Sequence, residues 1–364
     1  GIQDREEYNE IMKITDSAYH MTNDFTEVAK LAKKGIDKLK KVGLKHGKPI
    51  KVMLAQKEKS VQEAFDRVGK PAILEYKLDG FRMQVMKEGD DVKLFTRRLD
   101  EVTKQSPDVI EAVKKGIKAK KCVLDSEVVG YDSKNEKYLV FQNISQRIRR
   151  KYNIEEMVKK LPVEINFFDV ISLEGESLMN KPIKERIEVL NKIVKPLHRR
   201  LRIVERIITA DETKAEEFYE DSVKAGNEGL MFKKLDSVYQ PGSRVGTMVK
   251  LKAVKDPMDL VVIGGEWGTG KRSGWITSLI LACYDAEEDE YLEIGRVGTG
   301  LKEKEEEGLT FEEVTEQLKD SIIEEKGREV RMSPKVVLEI EYEEIQASPS
   351  YYSGFALRFP RVKV

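Results

Sequence analysis

Between Ile50 and about Asp256 the chain is written in short strand-like runs, and this succession constrains its fold more than any other feature. The runs are Ala72–Tyr76, Arg82–Met86, Val92–Thr96, Val123–Val129, Glu164–Ile171 and Gly229–Lys233. Turn signals such as Glu88-Gly89-Asp90, and helical segments, separate them. Interleaved helices and hairpins of this kind predict an α+β domain with antiparallel sheets. Asp256-Pro257 reads as its end, because a residue before proline is steered away from helix and proline cannot donate to a strand ladder.

The flanks read differently. Residues 1–45 look helical: Asp24 with Glu27 resembles a capping box, and Val28, Leu31, Ile36, Leu39 and Val42 follow at helical spacing. This stretch is too short for a core of its own, and Gly43 to Pro49 reads as a linker. Beyond Pro257, Leu260–Gly264, Ile276–Tyr284 and Tyr291–Val297 precede a helix capped by Thr310 and Glu313, with Phe311, Val314, Leu318 and Ile322 on one stripe. Val336–Tyr342 and Ala356–Phe359 then read as closing strands, and the set suits a five-stranded Greek-key barrel of the OB type. The expected organisation is therefore a helical segment over 1–45, an α+β domain over 46–256 and an OB-fold domain over 257–364.

Composition narrows the function classes. The 65 basic and 65 acidic residues cancel, so any cationic surface for nucleic acid must be a local patch. Cys122 and Cys283 are the only cysteines, which excludes a disulfide framework and a four-cysteine zinc site. No apolar run approaches the roughly 20 residues of a membrane span, and no signal peptide is visible. A reduced, cytoplasmic, soluble protein is expected, and the richness in Lys and Glu suits a thermophile.

Charged residues inside the strand-like runs carry the chemistry. In Glu75-Tyr76-Lys77-Leu78-Asp79-Gly80-Phe81-Arg82, a strand would place Glu75, Lys77 and Asp79 on one face. Lys77 there is either an ion-pair partner or an amine nucleophile, and attack requires the neutral amine. Phe95-Thr96-Arg97-Arg98 sets arginines at a strand end. Asp125 and Glu127 interrupt an apolar run, where a carboxylate needs a partner, hydrogen bonds or a cation, and this singles out Glu127. Phe167 and Phe168 are core residues, or one stacks on a purine. Glu228 stands at the mouth of the Gly229–Lys233 run, and Arg244 follows. Lys250 and Lys252 share a strand face, as around a phosphate, or as guards of an exposed edge. Arg358-Phe359-Pro360-Arg361 brings two arginines near the end, and Arg147, Arg149, Arg150 and Lys151 form a basic run for DNA phosphates or a solvated face. A nucleophilic amine, metal-suitable carboxylates, a stacking aromatic and phosphate-binding cations together suit nucleotidyl transfer to lysine, with Mg²⁺ neutralising the phosphates.

The order and spacing of these segments resemble the ATP-dependent DNA ligase family, in its archaeal and eukaryotic replicative type. Lys77-Leu78-Asp79-Gly80-Phe81-Arg82 matches the adenylation motif. Phe95 through Thr103, Val123 through Tyr131, Phe168 through Leu178, Glu228 through Lys233, Met248 through Lys252 and Arg358 through Arg361 match the motifs that follow. The resemblance implies a nucleotidyltransferase domain followed by an OB-fold domain, ATP and Mg²⁺ as cofactors, and nicked duplex DNA as partner. It implies that Lys77 carries the adenylate, that Glu75 meets the adenine amine and that Phe168 stacks on the base. Arg82 and Arg97 would contact the ribose and phosphate region, Glu127 a ribose hydroxyl and metal, and Glu228 a metal. Arg244, Lys250 and Lys252 would neutralise phosphates, and Arg358 and Arg361 would orient pyrophosphate.

The same resemblance implies roles in DNA replication, repair and recombination, a monomer, and a catalytic core lacking most of an upstream helical DNA-binding domain. A sliding-clamp contact would then lie in that upstream part. A capping guanylyltransferase shares the lysine motif but pairs its final arginine with Asp-Lys. RNA ligases generally lack this barrel, NAD-dependent ligases carry zinc cysteines, and a silent DNA clamp or scaffold has no need of an intact nucleotide site.

Overall fold

The computed structural model describes residues 4–132, 137–139, 141–149, 152–253, 255–304, 306 and 308–363, the side chain of residue 149 excepted. The chain divides into two compact units, Gly1–Ala253 and Val254–Val364.

The first unit begins with helices Arg5–Thr22, Phe25–Ala32 and Ile36–Lys40. Asp24 caps the second by accepting from the Glu27 amide at 3.0 Å. The Glu27 carboxylate does not return to Asp24 but pairs with Lys48 at 2.6 Å and with Lys45, so only half of the expected capping box forms. Ala18, Val28 and Leu39 give these helices a small shared core, more than the sequence reading allowed.

Two sheets follow. The first runs in the order Leu54–Glu58, Arg244–Lys252, Gly229–Lys234, Ala72–Lys77, Arg206–Thr209, antiparallel throughout except at the parallel first pair. Alternation sends Leu74, Leu230, Phe232, Val249 and Leu251 to one face. They bury against helices Val61–Val68 and Glu212–Lys224, with Phe65 and Phe232 meeting edge to face at 5.4 Å. Each fully buried side chain of this size contributes about 1.5–3 kcal/mol. A one-residue slip would exchange these side chains for Glu75 and Lys77, so the apolar face fixes the register of the charged one. Arg244–Lys252 is internal to the sheet, which removes the exposed-edge reading of its lysines.

The second sheet runs Asp91–Thr96, Phe81–Glu88, Lys121–Asp132, Val163–Leu173, Glu176–Ser177, with Lys137–Leu139 and Leu201–Ile203 paired alongside. Met83, Val85, Leu94, Leu124 and Phe167 form its buried face, packed with Val109, Val113, Ile144 and Leu190 from helices Pro107–Gly116, Phe141–Arg149 and Ile183–Ile193. Leu78-Asp79-Gly80 carries the chain from the first sheet to the second. The strand therefore stops at Lys77, and Asp79 lies in the turn rather than on the face shared by Glu75 and Lys77.

In the second unit Met258–Trp267 is a long strand pairing with Ile276–Asp285, Glu329–Met332 and Val337–Glu341 in turn. Glu290–Val297, Ile322–Lys326 and Arg361–Val362 complete an antiparallel seven-stranded sheet of OB type. It encloses Leu260, Val262, Leu279, Leu281 and Ile340. Phe311, Val314 and Leu318 of helix Phe311–Lys319 join this core, and Thr310 and Glu313 form the expected reciprocal capping box. Four of the five expected strands lie in this sheet; the expected closing strand Ala356–Phe359 does not, while Arg361–Val362 and the hairpin Ile322–Lys326/Glu329–Met332, too charged to show an apolar alternation, bring the number to seven. A separate hairpin, Glu344–Ala347 with Phe355–Arg358, carries Arg358, whereas Arg361 begins the strand Arg361–Val362.

Candidate active site

Cross-strand register builds the site. Lys77 lies opposite Gly229, and Gly229 opposite Lys252, in a row across three strands of the first sheet. Gly229 has φ +133°, and a Cβ there would fall 2.1 Å from the Leu251 carbonyl oxygen, so only glycine fits the middle of the row. The neighbouring Glu228 donates its amide to the Lys77 carbonyl at 2.8 Å. Its carboxylate accepts from both ammoniums, closely from Lys77 and at 3.4 Å from Lys252. Burial pushes the Glu228 carboxyl up, but Lys77 and Lys252 outweigh it and hold the group below the usual carboxylate range.

One row further in, Arg206, Glu75, Met231 and Lys250 stand side by side. Glu75 is buried at 2% exposure, with Lys233 Nζ 2.5 Å from Oε2 and Arg206 Nη2 3.1 Å from Oε1. Phe168 bounds this cluster from the second sheet, its ring 5.0 Å from Lys233 Nζ and 5.3 Å from the Arg82 guanidinium. Opposite Asp125 and Ser126 the register passes from Asp169 to Phe167, so Phe168 is the extra residue of a β-bulge. Such a bulge re-aims a side chain, and Phe168 is half-buried where Phe167 is core. Asp169 takes a bidentate fork from buried Arg186, at 2.8 and 2.9 Å.

Arg82 is held rather than free to roam. It donates to Asp125 at 2.6 Å and to the Met53 carbonyl at 2.9 Å, and the Tyr239 hydroxyl also donates to Asp125, at 2.8 Å. Asp125, Tyr239, Lys233 and Arg206 were not singled out from the sequence. Lys233 and Asp125 had a usable signal, a charge inside an apolar run; Tyr239 and Arg206 gain meaning only from partners far along the chain.

Glu127 pairs across the ladder with Arg82. Burial pushes its carboxyl up to about 7 against the pull of Lys77 and Arg82, with Glu228 and Asp79 raising it further. Because the usual value is 4.5, the folded chain keeps a proton that the unfolded chain loses between those two pH values. Stability therefore falls as pH rises through this window, by up to about 1.4 kcal/mol per unit, and is level outside it. Glu127→Gln should remove that slope. Urea midpoints at pH 5 and pH 8, with chelator present, should show a wild-type decline of about 2 kcal/mol that the variant lacks.

Arg97 is exposed in the turn after Asp91–Thr96. Arg244 is exposed at the start of its strand, 3.4 Å from the Ala55 carbonyl. In the second unit, Arg358 pairs with Glu344 at 3.3 Å and Arg361 is exposed. Arg147 corrects the basic-run reading: it is 2% exposed, donates to Asp108 and to the Leu161 carbonyl at 2.7 Å, and serves the interior. The Arg149 side chain, Arg150 and Lys151 lie outside the described residues.

Among the described residues, no three His, Cys, Asp or Glu side chains come together as a metal cage. A divalent ion held by one or two carboxylates and by substrate phosphates needs no such cage. Glu127, raised in pKa by its burial, and Glu228 fit that arrangement. No helix among the described residues is long and apolar enough to cross a membrane.

Comparison with known proteins gives the family. Residues 52–252 match the ATP dependent DNA ligase domain, and residues 272–364 match the ATP dependent DNA ligase C terminal region. A DNA ligase of Nanoarchaeum equitans is 52% identical over 348 residues, covering 95% of this chain and 61% of its own length. One from Methanopyrus kandleri is 44% identical over 351 residues, covering 96% and 62%. The chain thus spans about six-tenths of the length of these curated relatives. A solved Lig E DNA ligase, described as DNA binding with a minimal scaffold, covers 86% of this chain and 98% of its own. At 16% identity and a TM-score of 0.55 that likeness is one of fold. With both family regions matched in order and the relatives aligned across nearly all of it, the chain belongs to the ATP-dependent DNA ligase family.

Proposed function

We propose that this chain is the catalytic core of an ATP-dependent DNA ligase that seals nicks in duplex DNA through a lysyl-AMP intermediate. The observation that carries the reading is the convergence of Lys77 and Lys252 on Glu228, beside Glu127 and within reach of the Glu75–Phe168 cluster. In the first step the Lys77 amine attacks the α-phosphorus of ATP. A P–N bond forms, the bond to pyrophosphate breaks, and Glu228 is the acceptor in contact with the departing proton. The 5′-phosphate at a nick then displaces lysine, and the 3′-hydroxyl displaces AMP.

Glu75 and Phe168 would hold the base. Arg82 and Arg97 would meet the ribose and phosphate region, and Glu127 a ribose hydroxyl. Arg244, Lys250 and Lys252 would neutralise phosphates, while Arg358 and Arg361 would orient pyrophosphate. A Mg²⁺ ion held by Glu127 and Glu228 would offset charge on the phosphates. On this reading residues 46–256 form the adenylation domain and 257–364 the OB-fold domain. The enzyme would act in the cytoplasm as a monomer, with a sliding clamp engaged through a region upstream of this one.

Incubation with ATP and Mg²⁺ should add the mass of one AMP, and a chase with 5′-phosphorylated nicked duplex should discharge it while a sealed strand appears. No adduct, or an adduct that nicked DNA does not discharge, would overturn the reading.

A further inference from the structure

Arg206 sits at the edge of the candidate base site with its bonding capacity unspent. Its side chain is 13% exposed, and Nε, Nη1 and Nη2 are closed to solvent without a hydrogen-bond partner. The facing Glu75 Oε1 is also closed to solvent and unpartnered, although Arg206 Nη2 lies 3.1 Å away. Buried donors and acceptors almost always find partners, and those that do not ask for an explanation.

Charge pairing alone does not supply it. Where this protein uses an arginine to neutralise a buried acid, as at Arg186 and Asp169, the fork aligns on both carboxylate oxygens. Arg206 makes no aligned bond to Glu75, whose other oxygen is already held by Lys233 at 2.5 Å. The pair instead presents an unsatisfied acceptor beside an unsatisfied donor, and the Phe168 ring flanks it through Lys233. Adenine offers the complement: on either of its polar edges the exocyclic amine, a donor, adjoins a ring nitrogen, an acceptor. Guanine would set its O6 acceptor against the Glu75 carboxylate.

We propose that Arg206 is a specificity-determining residue that donates to a purine ring nitrogen while Glu75 accepts from the adjoining amine. The assignment rests on the nucleotide site proposed above. It is tested by following AMP loading by intact mass against nucleotide concentration, in wild type, Arg206→Gln and Arg206→Ala, with ATP, 1-deaza-ATP and 7-deaza-ATP. Both variants should need roughly tenfold more ATP for half-maximal loading, equivalent to about 1.4 kcal/mol, with maximal rates within about twofold. Wild type should show a similar penalty for whichever analogue lacks the accepting nitrogen, and the variants should show none for it. A side chain that only props up the fold would not produce that selective loss.

Variants that load ATP at the wild-type concentration, or that keep the wild-type discrimination, overturn the proposal. Should the variants not fold, wild type still decides: acceptance of both analogues as readily as ATP overturns it. Wild type that takes up no AMP at all overturns the proposed function too, which separates the two failures.

Discussion

Lys77→Ala should leave no AMP on the protein after incubation with ATP and Mg²⁺, a loss on the order of 10⁴-fold or more. Lys77 stands where three strands meet at Glu228, and Lys252 cannot replace it, because Lys252 lies on the far side of the Gly229 gap. The fold should survive. Glu228 keeps Lys252, and the apolar face that sets the strand's register does not include Lys77. Lys77→Arg should fail equally, since a guanidinium remains protonated and cannot attack. Intact mass against circular dichroism separates chemistry from folding. A one-AMP adduct on folded Lys77→Ala protein would exclude Lys77 as the nucleophile.

Gly229→Ala should be the most damaging small substitution in the first sheet. The added methyl meets the Leu251 carbonyl oxygen at 2.1 Å, and φ of +133° suits no other residue. Overpacking costs about 1–3 kcal/mol and the backbone strain about 1–3 more, so a loss of roughly 3 kcal/mol or more is expected. Relief requires the Arg244–Lys252 strand to shift, which would carry Lys252 away from Glu228. Loading should therefore fall at least about tenfold even in the fraction that stays folded, since small misplacements are costly in such sites. Gly80→Ala should act similarly at the start of the second sheet, where a Cβ would lie 2.3 Å from the Val128 carbonyl oxygen. Urea midpoints and loading rates measured together check both. An unchanged midpoint with wild-type loading for Gly229→Ala would show that the row tolerates a side chain.

What could be read from the sequence follows from how local the signal is. The runs around Leu74, Leu124 and Phe232 announce strands because half-buried sheets need alternation or apolar continuity, and the strands found extend those runs by a few residues. Charged edges such as Glu344–Ala347 and Ile322–Lys326 do not, since little of them is buried. Glu127 stood out because a carboxylate in an apolar strand needs a reason. Arg147 misled for the complementary cause. A basic run shows charge but not direction, and its partner Asp108 belongs to another helix. Arg206 gave no signal at all, because its only distinction is the residue it faces across a ladder.

The strand that ends in Lys77 is internal to its sheet, with Arg206–Thr209 on one side and Gly229–Lys234 on the other. Its backbone amides should exchange with solvent deuterium only when the whole sheet opens, among the slowest in the protein. The lysine at its tip then has its main chain immobilised before any ligand arrives. If Lys77 is the nucleophile proposed above, only side-chain torsions are left to be frozen on the way to the transition state, and little disorder is lost. On the proposed reading, such a design keeps its slack in surface turns such as the one bearing Arg97, and sets the amine that would attack ATP at the end of a strand held on both sides.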